Sequence, residues 1–147
     1  MFIPIIGTDR QEGVRSNWQP VPLIDKQQVI DAIDALNGCD RTLVELSISD
    51  DTYLYTDTEM VGDGDDTYID IGGGNDGRYI VTRNKDGIIF NLHNASAEPG
   101  RVDIVAAGQR GDYETKLCVD KSVALQTALY FYEYADFDRT LSWEILE

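Results

Sequence analysis

The chain has 147 residues, enough for one domain that buries roughly 68–70% of the surface its unfolded chain would expose. Acids outnumber bases 27 to 12, a formal net charge of −15, which disfavours nucleic acid and anionic membrane surfaces and suits equally a basic macromolecular partner or a charge that only keeps the protein soluble. Hydrophobic residues make up 42% of the chain and 13 glycines accompany them, so the composition is that of a folded domain and not of a disordered one.

The opening stretch MFIPIIGTDR has no basic lead, and Pro4 interrupts its apolar run, so it does not read as a secretory signal. No stretch approaches the ~18 apolar residues of a membrane span. Trp18-Gln19-Pro20-Val21-Pro22 reads as a connector. A helix is expected over 26–36: Asp25 is a good N-cap, Gln28 completes a capping box, and Val29, Ile30, Ile33 and Leu36 form one apolar stripe. Asn37-Gly38 supplies its stop.

The period then changes to two. Val44, Leu46 and Ile48 alternate as in a strand with one buried face. Further strands are expected over 52–55, 68–71, 78–81 and 87–92. Glycine- and aspartate-rich turns separate them, and Asn84-Lys85-Asp86-Gly87 is a hairpin signal. Segments 102–105 and 115–119 also read as strands. A second helix is expected over 121–134 behind the N-cap Asp120, burying Val123, Thr127, Tyr130, Phe131 and Tyr134 and leaving Tyr132 exposed. Residues 140–146 are apolar and read as a docked segment or edge strand. The order helix, short strands, helix implies one α+β domain over residues 1–147, an antiparallel meandering sheet with two main helices packed on one face. The strands lie too close together for βαβ crossovers.

The strongest local bias lies in residues 42–77, which hold ten acids and no Lys or Arg. The candidate partner-binding residues are Asp57, Glu59, Asp63, Asp65, Asp66, Asp70 and Asp76, many of them in loops where carboxylates stay available to a basic partner. Calcium is the alternative reading for the Gly/Asp-rich loops at 62–77. Gly62-Asp63-Gly64-Asp65-Asp66-Thr67-Tyr68 matches most of the nonapeptide pattern of calcium-binding β-rolls. Its partial repeat at Gly72, however, is offset by ten residues and puts Arg78 at the hydrophobic position, and no EF-hand loop is present. Gly72-Gly73-Gly74 resembles a phosphate cradle only superficially, since no Gly-Lys-Ser/Thr follows and carboxylates surround it.

Catalytic signals are weak. His93 is the single histidine, and neither Ser122 nor Ser142 has a nucleophile-elbow context. Cys39 and Cys118 form no CxxC pair and read as reduced thiols of a cytoplasmic protein, Cys118 as buried packing. No enzyme activity, metal or cofactor is expected.

The later part of the chain carries a family resemblance. Thr42-Leu43-Val44-Glu45-Leu46 and Asp86-Gly87-Ile88-Ile89-Phe90 lie in strands. A glycine-containing loop follows around Gly108 and Gly111-Asp112-Tyr113-Glu114, then Cys118-Val119-Asp120. A helix with Ala124, Ala128 and Phe131 leads to a late Leu141-Ser142-Trp143. This pattern resembles the first numbered family of immunity proteins in bacterial polymorphic toxin systems. It covers about two-thirds of the chain. Residues 134–139 and the long acidic loop at 57–77 depart from it. The resemblance implies a non-enzymatic cytoplasmic protein of bacterial contact-dependent competition. Such a protein binds a cognate toxin domain, a nucleic-acid deaminase or nuclease, and occludes its active site. The resemblance transfers no binding residues.

Overall fold

This computed structural model describes residues 2–50, 67–85 and 87–145. The expected strand at 52–55 lies outside them. Nine strands and two helices are described: β1 (Phe2–Glu12), β2 (Arg15–Pro22), α1 (Lys26–Ala35), β3 (Leu43–Asp50), β4 (Thr67–Gly73), β5 (Tyr79–Lys85), β6 (Ile88–Leu92), β7 (Arg101–Ala106), β8 (Gln109–Glu114), α2 (Lys121–Tyr134) and β9 (Trp143–Ile145). Seven strands form one antiparallel sheet in the order β2-β1-β3-β4-β5-β6-β9, and β7 and β8 form a separate hairpin. The architecture is α+β, as the order of elements in the sequence implies.

Register explains the layering. Leu46 stands opposite Ile6 and Ile69, and Ile71 opposite Val44 and Val81. Because side chains alternate between faces, these residues make one apolar face. The helices cover it: Val29 and Ile33 of α1, and Ala124, Ala128 and Phe131 of α2, complete the core, with Phe137 packed beyond the helix end. Burying a side chain such as Leu46 or Phe131 contributes about 1.5–3 kcal/mol.

Both helix starts follow from their caps. The Asp25 carboxylate accepts from the Gln28 amide and the Gln28 side chain accepts from the Asp25 amide, while Asp120 accepts from the Val123 amide. The buried stripe of α2 is displaced from expectation. Ala124, Thr127, Ala128 and Phe131 are buried, Tyr132 is half-buried against the core, and Tyr134 is exposed, with its ring 4.7 Å from that of Tyr130. The small alanines let the helix approach the sheet, which rotates the bulky tyrosines outward.

Three segments correct the sequence reading. Residues 18–22 are not a connector: they belong to β2, a fully exposed edge strand. The Leu23 amide donates inward to the Pro4 carbonyl, so odd-numbered β2 residues face β1 and even-numbered ones face outward. Pro20 and Pro22 therefore remove only outward donors, which blunts the edge without breaking the ladder. Residues 109–114, read as loop, form β8. Residues 115–119, read as a strand, form a short 3₁₀ turn over Thr115–Leu117 and then a single bridge between Val119 and Tyr79. The expected terminal edge strand is present as β9, paired with β6.

Candidate partner-binding surface

Of the seven acids singled out in the sequence, Asp57, Glu59, Asp63, Asp65 and Asp66 lie outside the described residues; Asp70 and Asp76 lie within them. The structure places these two differently. Asp70 is mid-strand in β4, between Glu45 of β3 and Thr82 of β5, on the sheet face turned away from the helices. Asp76 is exposed in the short turn Asn75–Gly77 beyond the end of β4.

Asp70 is not an ordinary surface carboxylate. Burial, then a hydrogen bond and charge repulsion from Glu45, push it up to about 9, so it holds a proton at neutral pH. Its Oδ1 is buried and has no hydrogen-bond partner. Tyr68, two residues away on the same face, is also shifted up, first by burial and then by the charges of Asp70 and Glu45. Three ionisable groups thus share one poorly solvated patch that carries less negative charge than the count of acids assigns.

The glycine run beside it is shaped by close packing. A Cβ on Gly72 would stand 2.6 Å from the Ala106 Cβ of β7, and one on Gly74 would stand 2.6 Å from the Leu36 carbonyl at the end of α1. Gly73 and Gly74 also take φ of 99° and 102°, a region where glycine has no Cβ penalty. The run therefore lets the β7–β8 hairpin and the α1 terminus meet the end of β4. Asn75 reinforces the joint through Nδ2, which donates to the Asp103 carbonyl at 3.3 Å. The calcium-like half at 62–66 lies outside the described residues. Among the described residues, no three His, Cys, Asp or Glu side chains are grouped to hold a metal ion.

No protein-family model matches this chain, and no curated protein matches it.

Other candidate residues fall into structural settings. Cys118 is buried with Ile80 and Ile104, its thiol donates to the Glu114 carbonyl at 3.7 Å, and burial pushes its pKa up. Cys39 is exposed. The His93 amide donates to the Ser142 carbonyl, tying β6 to the segment before β9.

Sequence reading missed two constellations. Asp9 is buried and gathers the start of β3: Oδ1 accepts from the Thr42 amide at 2.7 Å and the Leu43 amide at 2.8 Å, and Oδ2 accepts from the Thr42 hydroxyl. The same hydroxyl accepts from the Gly108 amide at 2.9 Å, which ties down the β7–β8 turn. The second is Arg83, whose guanidinium carbon lies 4.4, 4.1 and 4.8 Å from the ring centres of Phe90, Phe137 and Trp143. The hairpin signal at 84–87 was the available clue, because it sets Arg83 opposite Phe90.

Proposed function

We propose that this protein neutralises a bacterial toxin domain that acts on nucleic acid, a deaminase or nuclease, by covering its active site with an acidic surface. The observation that carries the reading is the stretch 42–77, with ten acids and no base. An enzyme whose substrate is a polyanion presents a basic groove, and clustered carboxylates both steer an inhibitor into that groove and compete with the substrate. The resemblance to the immunity proteins supports the same reading. Asp70 adds a distinct element: a carboxyl that is protonated in the free protein can ionise when a partner's Arg or Lys reaches it, so docking would release a proton.

Co-expression with the cognate toxin domain is the direct test. This reading expects growth rescue and co-purification of the two chains; a chain that does neither is not its inhibitor.

A further inference from the structure

Arg10, Arg101, Arg110, Lys116 and Lys121 each lie within 4.0 Å of a carboxylate. Among the described residues, Arg15, Lys26, Arg41, Arg78, Arg83 and Lys85 have no carboxylate within that distance, and of these Arg83 and Lys85 stand on the same face of β5. Together with Arg139, from the loop after α2, they line one cleft of about 290 Å³ whose remaining walls are Ile88 and Phe90. Arg139 has only an exposed 3.7 Å pairing with Asp136. Three cations therefore line one cleft with an apolar floor, and Asp136 lies at its edge beside Arg139.

Arg83 is preorganised for recognition. The rings of Phe90, Phe137 and Trp143 hold its guanidinium in place, and its Nε is buried without a hydrogen-bond partner. A fixed guanidinium offers a planar fork of donors at little entropic cost, which suits the two oxygens of a carboxylate or phosphate. Half-exposed Ile88 offers apolar surface beside it. The net charge of −15 argues against an extended polyanion and for a single oxyanion that three cations can neutralise.

We propose that the cleft between the β5–β6 hairpin and the loop after α2 binds one oxyanion group, a carboxylate or a phosphate, carried on an apolar body. This site is independent of the acidic stretch and of the toxin reading.

Benzoate and phenyl phosphate share a ring and differ in the oxyanion; benzamide keeps the ring without the charge. Each is titrated into the full chain while the indole N–H resonance of Trp143 is followed by NMR. The site predicts saturable shifts with a Kd of about 1–10 mM for at least one anion, the range open to probes of this size. The tighter anion identifies the source of the group. Lys85→Gln combined with Arg139→Gln changes only exposed side chains and leaves the aromatic cage intact, so it tests the site without unfolding it. It is expected to weaken binding about five- to tenfold. Absence of saturation by both anions, equal binding of benzamide, or unchanged affinity in the double variant would each overturn the proposal.

Discussion

Glu45 and Asp70 face each other across the β3–β4 ladder, and their proximity in a poorly solvated patch keeps a proton on Asp70. The pair therefore links stability to pH. Its folded-state pKa is raised, so its contribution to stability is fully present below the ordinary carboxylate value of about 3.9 and is lost as pH climbs toward about 9. Asp70→Asn keeps the shape and cannot ionise. The variant should melt higher than the parent at pH 8 by the equivalent of up to about 5 kcal/mol, and the two should converge near pH 4. Thermal melts across this range check it, and parallel pH profiles would refute it.

Asp9 joins three chain segments through the Thr42 hydroxyl, although Thr42 lies far away in sequence. Asp9→Ala strands the buried Thr42 amide and the half-buried Leu43 amide and should cost about 3–5 kcal/mol, whereas Thr42→Val, which keeps the shape, should cost about 1–3. Since both substitutions cut the same network, the double variant should lose clearly less than their sum. Urea denaturation of the four proteins measures this, and additive losses would show that the bonds act separately.

Gly72 and Ala106 touch where the β7–β8 hairpin crosses the end of β4. Gly72→Ala places two methyl groups in one space and should destabilise by about 1–3 kcal/mol, with faster hydrogen exchange in the hairpin. Ala106→Gly in the same chain restores the space and should recover much of the loss, less the cost of a glycine within a strand. Failure of the second change to rescue the first would mean that the contact does not set the hairpin's position.

Both helices were legible because their signals are local: Asp25 with Gln28, and Asp120, satisfy amides within one turn. Strand β3 was legible because one face enters the core, leaving a period of two, and β4 to β6 were legible as short apolar runs bounded by glycine-containing turns. The missed strands lack that imprint. All of β2 is exposed, so nothing forces alternation, and its prolines resemble a linker until register shows them facing outward. In β8, Gln109-Arg110-Gly111-Asp112-Tyr113-Glu114 pairs only with β7, and most of its side chains meet solvent. The opposite error arose at 115–119, where Leu117 and Val119 alternate but the backbone turns, with the Cys118 amide donating to the Thr115 carbonyl at 3.0 Å. For the site, the acids could be counted from the sequence; that one of them faces Glu45 and stays protonated depends on register and burial.

The proposed role of the acidic stretch makes a kinetic prediction. Steering charges act mainly on the association rate, and salt screens them. Replacing Asp63, Asp65 and Asp66 with lysine should slow association with the cognate toxin domain about 10- to 100-fold at low salt, and the gap should narrow at about 0.5 M salt. Lysines at Asp31, Glu98 and Glu133, all exposed elsewhere, change the net charge equally. That control separates local docking from overall charge: if both triple variants slow association alike, the long-range charge matters and the stretch has no special place at the interface. A much larger effect from the first set locates the contact there.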